Sequence, residues 1–249
     1  MTLVHAAYER PAALTPHDLA PLSAALGDGA LDYVLVLAAF HFINRIADLL
    51  HVEGEMLPDA LRRFELVRRF AVRMAGSLMR RQMDVGIRAY PKTYAEAVAD
   101  ITPAFVRAVG RPPENALAPL AARPKLIEAM QLALEERDER SSLDRATLAR
   151  VHRTVEAALA ATRDDTEGFH ARPADPVEAF AFVGTRYAYR ATEDMITALR
   201  RAGYDDLGIL DLAIAIADAN QWARLYRLTG LARDIFYLAP AARRDVPAA

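Results

Sequence analysis

Leu199–Leu231, LRRAGYDDLGILDLAIAIADANQWARLYRLTGL, decides how the rest of the chain is read. Its first residues end one helix, Gly203–Asp206 turns the chain, and one long, nearly uncharged helix comes next. Gly230 stands just past the last helical position, where a left-handed backbone is needed, and predicts the stop at Thr229. The same order of events occurs near the start, in Gly29–Val52, GALDYVLVLAAFHFINRIADLLHV. Registered so that Arg45 lies on Arg224, the residues Gly29, Leu31, Asp32, Ala38 and Leu49 fall on Gly208, Leu210, Asp211, Ala217 and Leu228. Turn, Asp, apolar run, Asn and Arg succeed one another in both.

The totals limit what surrounds these twins. The chain has 249 residues, of which 53% are hydrophobic, enough for one large core or two small ones. A net charge of −2 gives no electrostatic case for nucleic acid or an anionic membrane surface. There is no cysteine, which removes disulfides, thiolate nucleophiles and thiolate-held metals. The N-terminal residues show no basic segment followed by an apolar one, and the low-charge run Tyr33–Ile43 is too short to span a bilayer. A soluble cytoplasmic protein, without membrane or nucleic-acid partner, is expected.

Along its length the chain reads as helices. Thr15-Pro16 starts a short one, Thr as N-cap and Pro at the first helical position, and Gly27–Gly29 ends it. Leu31–Val52 carries an apolar line (Leu31, Leu35, Ala38, Phe42, Ile46, Leu49) and a polar one (His41, Asn44, Arg45, Asp48, His51). Leu61–Val85 is the next helix, with Arg62, Arg69, Arg73 and Arg80 on a face expected to be solvated or acid-paired. Thr93–Val109 is read as interrupted near Pro103. Gly110–Pro113 is the expected boundary, giving an N-terminal half-unit over 1–110, a second unit over 111–240 and a tail over 241–249, or one compact domain overall. Pro119–Leu134, Leu143–Thr162 (capped by Ser142), Val177–Ala188 and the helix begun by Thr192-Glu193-Asp194 complete the set. Sustained β-branched alternation is nowhere found, so the fold class is all-α.

Thr192, Asp194, Leu199-Arg200, Ala202-Gly203-Tyr204, Asp206, Ile209-Leu210-Asp211, Asn220 and Arg224 together resemble the carboxymuconolactone decarboxylase / alkylhydroperoxidase-D-like family, in particular its peroxidase-related branch. The first twin resembles the ending of that family's long helix through Phe40-His41, Asn44-Arg45, Ala47-Asp48, Leu50 and Val52. The resemblance implies an alkylhydroperoxidase-D-like helical bundle with a duplicated helix-pair unit, assembled as a homo-oligomer. Peroxidatic members carry Cys-x-x-Cys-x-x-x-His. Counted back from His170, the cysteine positions hold Arg163 and Thr166. Thiol peroxidase chemistry needs one thiolate to attack the peroxide and a second thiol to resolve the product, and this chain has neither.

Several sites remain as candidates. His170, beside Asp164, Asp165 and Glu167, can serve as a general acid/base with Arg163 for a carboxylated substrate, or it sits on a solvated acidic loop. Glu167-x-x-His170 has the spacing of half a di-iron carboxylate site, but the other half is missing. His41 is a second candidate for proton transfer, with Asn44, Arg45, Asp48, Asn220 and Arg224 as ligand-binding groups, the other reading being a structural polar network. No cofactor and no metal site is expected. Three functions remain open. The chain is a cysteine-independent, decarboxylase-like enzyme acting by His acid/base chemistry on a small carboxylated molecule. Alternatively it is an inactive ligand-binding or oligomeric scaffold protein, or a metal-dependent enzyme.

Overall fold

A computed structural model describes residues 3, 7, 10–27, 29–51, 92–109, 112–113, 117–121, 123–128, 130–131, 134, 141–161 and 172–231. The basic helix expected over Leu61–Val85 lies outside them. Among the described residues every regular element is helical: α1 (Pro16–Leu26), α2 (Gly29–Leu49), α3 (Tyr94–Val109), α4 (Arg145–Ala160), α5 (Pro176–Arg186), α6 (Glu193–Arg201) and α7 (Asp206–Thr229), with short 3-10 turns at Pro11–Ala13, Ala118–Leu120 and Ala188–Arg190.

The core forms around α7. This helix is apolar on all sides, and an apolar helix is stable in water only when covered on most of them. It packs against α1, α2, α4 and α5, with α6 leading into it. Leu212, Ile216 and Ala223 are fully buried, together with Phe105, Val151, Val155, Phe180 and Tyr187 from the neighbouring helices. The ends of α7 obey local chemistry. The Asp205 carboxylate accepts from the Gly208 N–H at 2.8 Å. The Gly230 N–H donates to the Tyr226 carbonyl, and its φ of 74° turns the chain out of the helix. The Asp205 N-cap is worth about 1 kcal/mol. A half-buried ion pair ties α7 to α4, Arg227 to Glu156 at 2.7 Å, with the Tyr226 hydroxyl donating to the same carboxylate at 3.0 Å.

The twins lie side by side and antiparallel. Near one end a methyl added to Gly184 would touch both Leu49 of α2 and Ile216 of α7. Towards the other end, Val34 clusters with Leu225 and Leu228. Each twin also uses the Asp of its first turns as a tether. Asp32 of α2 holds Arg123 through two hydrogen bonds, 2.7 and 2.8 Å. Asp211 of α7 accepts from the Ser142 N–H at 2.6 Å and from its hydroxyl at 2.7 Å.

That tether corrects one expectation. Ser142 does not cap α4: its N–H and hydroxyl donate to Asp211, and the helix begins later, at Arg145. The cap is Asp144, which accepts from the Thr147 N–H at 2.6 Å, and this bond holds its carboxyl below the ordinary carboxylate range. A second correction concerns Pro103, inside a continuous α3. Its ring and Ala99, whose carbonyl loses a partner, are both on the exposed face, where water replaces the missing bond.

The expected apolar line of α2 is covered unevenly. Leu49 is fully buried, whereas Leu31, Leu35, Ala38, Phe42 and Ile46 are half-buried. Beside them Tyr33, Val36, Phe40 and Ile43 form an exposed stripe, Phe40 and Ile43 at 61% and 64%. By length and composition this helix, with mean hydropathy 1.4, could cross a membrane, and it is the one such helix among the described residues. The uncharged run alone is shorter than that.

Candidate functional site

The polar line of α2 faces a cavity of about 340 Å³ between the twins, a volume within the usual range for small-molecule sites. His41, Asn44, Arg45 and Asp48 contribute from α2, and Asn220, Gln221 and Arg224 from α7. Six of the nine site residues expected from sequence therefore meet in one place. The other three, Arg163, Glu167 and His170, lie outside the described residues, as does the Glu167-x-x-His170 half-motif.

The cavity wall was not legible in full. Thr185, Arg186 and Tyr189, from the end of α5 and the turn after it, also line it, as do Leu3 and Ala7 of the N-terminal arm. Their signal in the sequence is the run Thr185-Arg186-Tyr187-Ala188-Tyr189-Arg190, where arginines and aromatics alternate at a helix end.

Arg45 is fixed by the end of α5. Its Nη1 donates to the carbonyl of Gly184 and, at 3.1 Å, to that of Thr185. The last carbonyls of a helix have no intrahelical partner and carry the negative end of its dipole, so a guanidinium suits them. Being desolvated there, Arg45 has its pKa lowered to about 10, with Asp48 acting in the opposite direction. It remains a cation at neutral pH.

A hydrogen-bond chain fixes Arg224. The Thr185 hydroxyl donates to the Ala181 carbonyl at 2.8 Å and accepts from Asn220 Nδ2 at 3.0 Å. Asn220 Nδ2 also donates to the Ile216 carbonyl at 2.9 Å. The amide oxygen of Asn220 then accepts from Arg224 Nη1 at 3.1 Å. Asn220 is 2% exposed, so each of these bonds answers a polar group that burial would otherwise leave at a cost of about 1–3 kcal/mol. Its role is to hold Arg224 in place.

His41 is the titratable group of the cavity. Its side chain reaches the solvent edge, as do those of Asn44 and Asp48. Desolvation lowers its pKa first, and the charges of Arg224 and Arg45 lower it further. The neutral imidazole is thus the resting form at pH 7 and can accept a proton.

Three guanidinium groups, Arg45, Arg186 and Arg224, face one carboxylate, Asp48. Between them is a mostly hydrophobic wall of Val34, Leu37, Ala38, Phe42, Leu225 and Leu228. A low-dielectric wall strengthens the attraction of these charges for an anion. No cluster of three or more His, Asp or Glu suited to a metal ion occurs among the described residues. Compared with protein-family models, with curated proteins and with solved structures, the chain matches none.

Proposed function

We propose that the chain is a cysteine-independent relative of the alkylhydroperoxidase-D-like proteins, built on a duplicated helix pair, that binds a small carboxylated molecule between its twin helices and acts on it through His41. One observation carries this reading: Arg45, Arg186, Arg224 and a neutral His41 converge on one largely apolar cavity. A carboxylate placed among the arginines sits beside an imidazole free to take up a proton, the pairing that decarboxylase-like and other proton-transfer chemistry requires. The metal-dependent alternative would rest on Glu167 and His170, which lie outside the described residues.

The pH dependence of binding tests the reading. In the free protein, Arg224 and Arg45 repel a proton from His41. A bound carboxylate offsets that repulsion and raises the imidazole pKa, so the complex holds more protons than the free protein. Affinity for a small carboxylate such as benzoate is therefore expected to rise as pH falls from about 8 to about 6, by up to about tenfold per unit. Isothermal titration calorimetry measures this, and His41→Gln is expected to flatten the profile. Affinity that falls with acid, or absence of binding, would count against the site.

The scaffold alternative is favoured by the exposed stripe of α2. Tyr33, Val36, Phe40 and Ile43 make a contiguous apolar surface of the kind that a second copy covers. Light scattering after gel filtration is expected to show a homo-oligomer that the double variant Phe40→Glu, Ile43→Glu converts to monomer. A monomeric unmodified chain would end that assignment.

A further inference from the structure

Arg186 stands apart from the other two cavity arginines. Arg45 and Arg224 are each anchored to protein acceptors through Nη1. The Nη2 of Arg186 is buried and has no hydrogen-bond acceptor among the described residues. A buried, charged donor without an acceptor is costly and rare, and marks a place where a ligand or another group completes the structure. Arg186 belongs to the last turn of α5, next to Thr185, which is bonded to Asn220. It therefore lies at the same end of the cavity as Arg45.

The cavity is also graded along its length. Because α2 and α7 are antiparallel, the His41–Asp48 half of α2 faces Ala217–Arg224, and the Val34–Ala38 half faces Leu225–Leu228. The first half is cationic and reaches solvent at His41, Asn44 and Asp48. The second is apolar and closed: Val34, Leu225 and Leu228 are at most 4% exposed, with Leu3, Ala7 and Ala38 packed against them. From Arg45 to Val34 the helix rises about 16 Å at 1.5 Å per residue.

From these two observations we infer that the ligand of the cavity is an amphipathic monocarboxylate, its head bound by Arg186 at the open end and its unbranched apolar tail laid along Val34, Ala38, Leu225 and Leu228. This deepens the proposed function and rests on it. A short carboxylate fills only the head position. Each methylene added to the tail moves apolar surface from water to the closed end, which raises affinity about fourfold.

Calorimetric titration of the full chain with acetate, butanoate, hexanoate and octanoate tests the inference, with octylamine and octanol as controls. Affinity is expected to climb roughly fifteenfold for every two methylenes, octylamine is expected not to bind, and octanol to bind far more weakly than octanoate. Arg186→Gln is expected to weaken octanoate at least tenfold, with Arg186→Lys recovering part of the loss and the circular dichroism spectrum unchanged in both. Ala38→Phe, which fills the closed end, is expected to remove the advantage of octanoate over butanoate. Carboxylates that bind with no dependence on length would overturn the amphipathic assignment and leave the proposed function standing. Failure of every carboxylate, benzoate included, would overturn both. Equal binding of octanoate and octylamine, or an unaffected Arg186→Gln, would remove Arg186 as the head group's partner. Unchanged octanoate affinity in Ala38→Phe would move the tail elsewhere.

Discussion

Replacing Arg45 with alanine is expected to destabilise the fold by about 3 kcal/mol and to abolish carboxylate binding. The stability loss comes from the end of α5. The carbonyls of Gly184 and Thr185 both lose their charged donor, and hydrogen bonds to a charged group contribute about 1.5–3 kcal/mol each when partly sheltered. One effect works against this: removing a desolvated cation relieves the penalty that lowers its pKa. The two unpaired carbonyls and the lost packing outweigh it, since alanine supplies neither donor nor volume. Urea unfolding followed by circular dichroism gives the difference in stability, and a loss below about 0.5 kcal/mol would show that solvent satisfies those carbonyls. The same variant has a second signature. Arg45 is one of the charges that lower the His41 pKa, so the imidazole of Arg45→Ala should titrate at higher pH than in the unmodified chain, as read by NMR.

Gly184→Val is expected to cost about 3 kcal/mol, and Gly184→Ala clearly less. A Cβ at this position would lie 3.0 Å from Ile216 Cγ2, 3.0 Å from Leu49 Cδ1 and 3.1 Å from Leu49 Cδ2. Leu49 can swing its tip, but Ile216 is branched at Cβ and has little room to move. For alanine the strain is partly offset by helix propensity, about 1 kcal/mol in its favour over glycine. Valine adds two methyl groups to the same wedge and gives up most of that gain. Because the Gly184 carbonyl is also an acceptor for Arg45, the wedge separates α5 from α2 and loosens the cation. Thermal unfolding of both variants, with benzoate titration beside it, checks the ranking. Equal midpoints for Ala and Val would mean that the three helices are not in close contact here.

Much of the helical layout was legible because its causes are local. Gly27, Gly203 and Gly230 all have positive φ, and each stands where the sequence predicts a stop. The bounds of α7 are set by its Gly230 terminator and the acidic turn at Asp205-Asp206. Misreadings occurred where a distant residue competes with a local rule. Ser142 has the chemistry of a cap, but its hydroxyl donates to Asp211, 69 residues further on. Pro103 breaks a helix only if its neighbours cannot reach water, and exposure is not written in the local sequence. The candidate site was legible on α2 and α7, whose polar residues interrupt apolar runs. Arg186 was not, because an arginine in the last turn of a helix has an ordinary explanation in the helix dipole. Only the packing of α5 against the twins shows that its Nη2 is buried without an acceptor.

In the register that lays Arg45 on Arg224, His41 lies on Asn220, and the antiparallel pairing brings both to one cavity. The two positions are chemically unlike. Asn220 is locked by Thr185, Ile216 and Arg224 and has no proton to exchange near neutrality. His41 stands at the solvent edge and has one. Under the proposed function, a prochiral carbon seated between the helices meets a proton carrier on one side and a fixed amide on the other. Facial selectivity would then come from the pairing of unequal twins, with no further residue needed to impose it.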